Sequence, residues 1–335
     1  MPPVSDLVRD SKLKTYITGD VTRHVIESSG RHPRQRRVRK EQTWRRAGRL
    51  GEGAFGTVWK EVLEAGESDI KARAVKVVRK RENRSKLVNY SKELEAIAKF
   101  SHPKYNSYFV ESYGWFETED AVFITMELFD HGDLQNYLWR KAEKTLPEDE
   151  VKQIALQVLE GLEHMHDNGF AHRDLKPSNI LVRDPGPEWW VKIGDFGISK
   201  RAEEGMTALR TVSGTRDFMA PEIRVQDGSL FAENLADNKV YTDKVDIWSL
   251  GEIIYRALCG EGPFSKTLAA YCSHNVAFPL EALRKREISE EGCSLIQALM
   301  NVYPEERLSA KQALQHEWFA NLQESSPRSS GEFPR

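Results

Sequence analysis

His172-Arg173-Asp174-Leu175-Lys176-Pro177-Ser178-Asn179 sets a carboxylate, an ammonium and a carboxamide close together, and Asp195-Phe196-Gly197 follows downstream. Asp, Asn, Ser and Pro commonly build turns by bonding their own backbone, so one reading of the string is a structured loop. The dense order of acid, cation and amide, with a second acid ahead of a glycine, is more specified than a loop needs. The chain around it decides what these groups do.

Upstream, Gly51-Glu52-Gly53-Ala54-Phe55-Gly56-Thr57-Val58 allows backbone to approach a ligand closely, because glycine has no Cβ to obstruct it. At about 7% glycine, three such glycines arise by chance in roughly one chain in ten of this length, so context carries the weight. A dinucleotide-binding unit would run from the glycines straight into a helix, with an acidic residue about 20 positions on. Here the following "TVWKEVL" alternates as a strand does, and "ARAVKVV" presents Lys76 on another strand. The stretch "NYSKELEAIAKFSHP" has helical spacing, with Leu94, Ile97 and Ala98 on one stripe and Glu93 and Glu95 as candidate partners for Lys76.

These segments together resemble the eukaryotic protein kinases: a glycine-rich loop of the form G-x-G-x-x-G-x-V, a lysine on the third strand, the loop from His172 to Asn179, and Asp195-Phe196-Gly197. The resemblance implies an α+β bilobal fold, a small antiparallel-sheet N-lobe with one helix and a larger, mainly helical C-lobe. It implies transfer of the ATP γ-phosphoryl group to a Ser or Thr hydroxyl of a protein, a reaction that asks chiefly for alignment and charge neutralisation. Asp174 would accept the hydroxyl proton, Lys176 would stabilise the transferred phosphate, and Asn179 and Asp195 would hold Mg²⁺, with Mn²⁺ as an alternative. Counting back from Pro103 by the family pattern selects Glu93 as the partner that holds Lys76 against the phosphates. Glu95 lies roughly 200° away around the helix, on a solvated face.

By the same resemblance, Leu50, Gly51, Gly53, Gly56, Val58 and Ala74 cover the nucleotide, the backbone of Glu127 and Phe129 bonds the adenine, and Asp133, beyond the hinge, completes the nucleotide-binding set. Met126 fits the gatekeeper position and equally fits ordinary core. Ala220-Pro221-Glu222 closes the activation segment, Asp246 buttresses the catalytic loop, and Glu222 pairs with Arg307. Lys176 in "DLKPSN" and Thr215 in "GTRDFMAPE" match serine/threonine kinases, Thr215 bridging Asp174 and Lys176 or simply bonding backbone. Arg173 beside Asp174 implies activation by a phosphorylated residue, with Thr211 first, Thr207 second and Ser213 third. The activating agent would be an upstream kinase or the chain itself in trans. Asp133 suits a preference for basic substrates, but Ser178 departs from the glutamate usual in such kinases. The "RTVSGT" segment and hinge loosely resemble calcium/calmodulin-dependent or checkpoint-type kinases. Because Lys76, Asp174, Asn179 and Asp195 are all present, a kinase-shaped scaffold acting through binding is the alternative and not the main expectation.

Composition agrees. The chain has 335 residues and 39% hydrophobic content, enough for one such domain, and a net charge of −2 that gives no global reason to expect nucleic acid or membrane. "AVFITMELF" is too short to span a bilayer, and "MPPVSDLVRD" lacks a signal-peptide apolar region. Cys259, Cys272 and Cys293 have neither metal nor disulfide spacing, which fits an intracellular site in cytoplasm or nucleus. The expected organisation is a flexible basic leader over 1–43, a kinase domain over 44–319 divided at 128/129, and a disordered tail over 320–335. Within the leader, "RHPRQRRVRKEQTWRR" reads as a solvated linker, a nuclear localisation signal, a nucleic-acid patch or a docking arm. No role is assigned to residues 224–240.

Overall fold

In the computed structural model, the described residues are 5–28, 38–53, 56–83, 86–87, 90–195, 200–201, 216–226, 228–231, 235, 242–264 and 266–325, with the side chains at 28, 53, 81–83, 86–87, 91–92, 200–201 and 323–325 excepted. The chain divides into two compact units, Met1–Asp130 with Asp195–Gly197, and His131–Gly194 with Ile198–Arg335.

In the first unit, seven of the described strands form one antiparallel sheet: β1 (Lys14–Thr18), β2 (Val21–Ser28), β3 (Val38–Gly53), β4 (Gly56–Ala65), β5 (Ala72–Arg79), β6 (Ser112–Glu117) and β7 (Ala121–Met126), in the order β1-β2-β3-β4-β5-β7-β6. The strand-like segments "TVWKEVL" and "ARAVKVV" lie in β4 and β5. Helix α1 (Asp6–Asp10) precedes the sheet, and α2 (Ser91–Phe100), which carries Glu93, packs with α1 and β6. Leu94 on α2 joins Val78, Trp115, Val122 and Ile124 in a buried apolar cluster, which is why this amphipathic helix docks by that stripe.

The expected flexible leader is corrected here. A two-residue turn at Gly19-Asp20, with Gly19 at φ 59°, joins β1 to β2, and β2 pairs with β3 along its whole length from Val21↔Arg45 to Ser28↔Val38. The inward side chains of β2 include Thr22 and His24, both buried, so the inward face is partly polar and its alternation does not read as apolar. The basic run is also partly accounted for: Lys40 pairs with Glu67 at 3.2 Å, Arg39 with Glu41 at 2.8 Å, and Arg45 with Glu64. Its charges over 38–46 sit on a strand beside acids and not on a free arm.

The second unit is mainly helical: α3 (Leu134–Arg140), α4 (Glu148–Asp167), α5 (Pro221–Gln226), α6 (Lys244–Cys259), α7 (Leu268–Cys272), α8 (Leu280–Lys285), α9 (Glu290–Leu299), α10 (Ala310–Leu314) and α11 (Ala320–Ser325). Helix α4 buries Val151, Ile154, Ala155, Val158, Leu159, Leu162 and Met165 along one stripe, as its sequence spacing requires. Helix α6 is buried on nearly every side and ends at Gly260 in the left-handed conformation, φ 82°. Two short antiparallel pairs, β8 (Phe170–Ala171) with β11 (Lys200–Arg201) and β9 (Ile180–Asp184) with β10 (Trp190–Ile193), flank the loop from His172 to Asn179. The tail expected to be disordered from residue 320 is helical through Ser325. Among the described residues, no helix is long and apolar enough to cross a membrane.

Candidate active site

In the first unit, β5 pairs with β4 and β7 so that Lys76 lies opposite Val58 and Ile124, and its side chain is buried. Its Nζ donates to Glu93 Oε1 at 2.6 Å and to Asp195 Oδ1 at 2.6 Å. Burial opposes the ammonium charge, but attraction to Asp195 and Glu93 outweighs it and raises the lysine above its ordinary pKa. An unpaired buried cation would cost several kcal/mol, so the two acids hold this one in place as well as in charge. Glu93 was reached only through the family count; its depth, and the engagement of Asp195 with the same ammonium, are properties of the packed unit. Asp195 sits at φ 58°, strained for a residue with a Cβ.

Around Lys76, Gly56 adopts φ +135°, and a Cβ there would fall 1.9 Å from the Val77 carbonyl oxygen, so the strand pairing itself demands glycine. A Cβ on Gly51 would meet open space, which is the condition for a ligand to come close to backbone. Gly53 pairs with Gly56, Val58 pairs with Gly51, Ala74 is buried against Met126 in the ladder, and Leu50 is exposed. Met126 packs against the apolar cluster beneath α2. Glu127 donates its N–H to the Glu111 carbonyl at 3.0 Å and accepts from the Glu111 N–H through Oε1 at 2.8 Å. The Glu127 N–H is therefore already engaged by Glu111.

In the second unit, the loop after β8 brings Asp174, Lys176 and Asn179 together. Lys176 Nζ lies 2.7 Å from Asp174 Oδ2, while Asn179 Nδ2 donates to the Asp174 carbonyl at 2.7 Å and to Oδ2 at 3.3 Å. Asp174 is buried, and among the described residues its Oδ1 has no hydrogen-bond partner. A buried carboxylate oxygen without a donor is costly, and a hydroxyl arriving there would relieve that cost.

The loop is held from below by Asp246 at the start of α6. It is fully buried and accepts from the His172 N–H at 2.8 Å, the Arg173 N–H at 2.7 Å and His166 Nε2 at 2.9 Å. Burial would raise its pKa, but the hydrogen bond and charge of His166, with His172 and the Arg173 N–H, hold it below the ordinary carboxylate range. These contacts keep Arg173 at φ 68°. His172 and His166 had no assigned role: His172 Nε2 lies 3.0 Å from the Gly194 carbonyl, and Nδ1 accepts from the Asp174 N–H at 3.3 Å. For His166 the one sequence signal is its place in the last turn of α4 before the loop.

Asp133 caps α3, its Oδ1 accepting from the Asn136 N–H at 2.8 Å and its Oδ2 from the Asn136 amide at 2.7 Å. Glu222 and Arg307, both buried, form two parallel hydrogen bonds at 2.9 and 3.1 Å. Thr207, Thr211, Ser213 and Thr215 lie outside the described residues.

Among the described residues, no three His, Cys, Asp or Glu side chains gather to cage a metal by themselves. The Asp195 carboxylate in the first unit and the Asn179 carboxamide oxygen in the second, whose nitrogen is turned toward Asp174, are each a hard donor of the kind a divalent ion takes alongside water and phosphate.

Residues 44–319 match the family model described as a protein kinase domain. The chain is 35% identical over 295 residues to "Serine/threonine-protein kinase cds1" of Schizosaccharomyces pombe, covering 84% of this chain and 60% of that protein. It is 33% identical over 273 residues to "Serine/threonine-protein kinase RAD53" of Saccharomyces cerevisiae, covering 80% and 32%. It is 32% identical over 274 residues to "Calcium/calmodulin-dependent protein kinase type 1" of Macrobrachium nipponense, covering 81% and 73%. The chain thus spans 60% and 32% of the length of the first two relatives.

Proposed function

The chain belongs to the protein kinase family, and we propose that it transfers the ATP γ-phosphoryl group to serine and threonine hydroxyls of protein substrates. The observation that carries this reading is Asp174: one carboxylate oxygen is held by Lys176 and Asn179 while the other is buried without a donor among the described residues. In the reaction the substrate hydroxyl oxygen forms the new bond to the γ-phosphorus, the bond to the β,γ-bridging oxygen breaks, and ADP leaves. The hydroxyl proton passes to Asp174. Lys76, kept charged by Glu93 and Asp195, pairs with the nucleotide phosphates, and Lys176 meets the charge on the transferred group. A divalent ion, magnesium or alternatively manganese, would be held by Asp195 and Asn179 and would neutralise phosphate charge.

The test is phosphate transfer to a serine/threonine peptide with ATP and Mg²⁺, using Asp174→Asn as control. Loss of transfer in the variant supports the reading. Equal transfer by both proteins would reject the catalytic role of Asp174, and transfer by neither leaves the chain a kinase-shaped scaffold.

Regulation through the activation segment belongs to the same proposal. Phosphorylation of Thr211, or secondarily Thr207, by an upstream kinase or in trans, supplies the charge that Arg173 pairs with. Unchanged specific activity in Thr211→Ala and after complete dephosphorylation would reject it. The protein acts inside the cell, in cytoplasm or nucleus. Its three cysteines are free thiols, and burial pushes that of Cys259 up to about 11. Compartment-resolved imaging of the tagged full chain tests this.

A further inference from the structure

Helix α1 and the segment after it are seated on the helix that carries Glu93. Val8 is buried at 1% exposure in the same apolar cluster as Leu94, with Trp115, Val78, Val122 and Ile124, while Ile97, Ala98 and Tyr90 pack around it. Leu94 directly follows Glu93, so the contact that seats Val8 lies one residue from the carboxylate that holds Lys76.

The seat is built and not incidental. Trp115 Nε1 donates to the Val8 carbonyl at 2.7 Å, and the Ser11 hydroxyl donates to the same carbonyl at 3.0 Å. The Trp115 N–H bonds the Ser11 carbonyl at 3.1 Å, and the Leu13 N–H bonds the Trp115 carbonyl at 2.7 Å, so residues 11–13 run along β6 as an added strand fragment. Gly114 makes room for this: at φ +113°, a Cβ there would stand 2.7 Å from the Ser11 carbonyl oxygen and 3.0 Å from Leu13 Cγ. Glu117 closes the arrangement, pairing with Lys12 at 2.6 Å and Lys80 at 2.6 Å and accepting from Tyr90 at 3.2 Å. Tyr90 is the residue immediately before α2. Glu117 therefore ties the N-terminal segment to the first turn of the Glu93 helix.

We infer that residues 6–13 are a positioning clamp for Glu93, built into this chain N-terminal to the matched kinase segment. By filling the cluster beneath Leu94 and tying Lys12 to Tyr90 through Glu117, the clamp holds α2 where Glu93 reaches Lys76. Its kinetic part rests on the proposed kinase activity, whereas its structural part does not.

The experiment uses the full chain with Val8→Asp, Val8→Leu and, on the exposed face of the same helix, Leu7→Asp, for Leu7 is 61% exposed. Amide exchange across residues 93–100 and the kcat/KM for peptide phosphorylation are measured for each, with thermal unfolding to show that the proteins remain folded. Val8→Asp places a carboxylate in an apolar cluster and is expected to speed exchange in α2 and lower kcat/KM about tenfold or more. Val8→Leu and Leu7→Asp should stay within about twofold of wild type. Repeating Val8→Asp in a Glu93→Gln background separates positioning from general damage: there it should change kcat/KM by less than about twofold, because the ion pair it serves is gone.

Unchanged α2 exchange in Val8→Asp would overturn the clamp, as would an equal kinetic loss with and without Glu93. A wild-type chain that transfers no phosphate defeats the functional reading alone, since exchange still reports whether Val8 holds α2.

Discussion

His24 Nε2 lies 2.6 Å from Arg73 Nη2 in the interior of the N-terminal sheet, and His24 Nδ1 lies 2.7 Å from the Thr15 hydroxyl. Arg73 also bonds Glu61 through Nε at 3.0 Å and Nη2 at 2.6 Å and lies over the Trp44 ring. The histidine thus joins the strands added before residue 44 to β5, and it must do so as a neutral imidazole facing a guanidinium.

Stability therefore depends on pH. Burial, aided by Arg73, lowers the His24 pKa from 6.5 to about 3. The folded chain refuses a proton that the unfolded chain takes below pH 6.5, so the stabilisation is present above that pH and lost as pH falls toward 3. Between pH 7.5 and 5 this one group should remove about 2 kcal/mol of unfolding free energy. Urea unfolding at the two pH values checks it, with His24→Gln showing a flatter dependence; equal dependence in both proteins would count against it.

The Glu222–Arg307 pair is doubly hydrogen-bonded and fully enclosed, and Arg307 also donates to the Asn301 and Lys244 carbonyls at 3.0 and 2.8 Å. Arg307→Met leaves Glu222 as an uncompensated buried charge and should cost about 3–5 kcal/mol in chemical denaturation. The double variant Arg307→Met/Glu222→Gln should recover part of that loss.

Asp246→Asn removes the negative charge on which two backbone N–H groups and His166 converge. Losing the charge-assisted part of these bonds, about 1.5–3 kcal/mol in total, should lower kcat roughly ten- to a hundredfold. The KM for ATP should move little, since no nucleotide-binding residue is touched. Steady-state kinetics at varied ATP separates the two parameters, and a change confined to KM would refute the assigned role.

Lys76→Met takes the cation from between Glu93 and Asp195. Phosphate transfer should fall by about a hundredfold or more. The thermal midpoint should also drop, because two carboxylates then face each other without a counter-charge. Adding Glu93→Gln to that variant should restore the midpoint and not the activity, a split that differential scanning calorimetry and a peptide assay read separately.

Much of the site was legible because its chemistry is local. Asp174, Lys176 and Asn179 meet across a few residues of one loop, and turn geometry delivers them together. Strands β4 and β5 were legible by alternation, and α2 by its apolar stripe. Strands β1 and β2 were missed for a physical reason. The inward positions of β2, on which β1 pairs, hold Thr22 and His24, whose burial is tolerable only because Glu61 and Arg73, from distant strands, satisfy them. Polar groups that depend on long-range partners look like solvent-facing residues until those partners are in place.

The kinase family and the polar residues of the loop from His172 to Asn179 could be read from the residues alone, since short spacings and secondary-structure periods are written in them. Tertiary structure alone decided that residues 5–28 are part of the N-terminal unit, that Val8 sits beneath Leu94, and that Lys76 holds Glu93 and Asp195 at once. Those outcomes depend on contacts between residues far apart in the chain, whose free energy comes from burial and charge pairing that exist only after the sheet has formed.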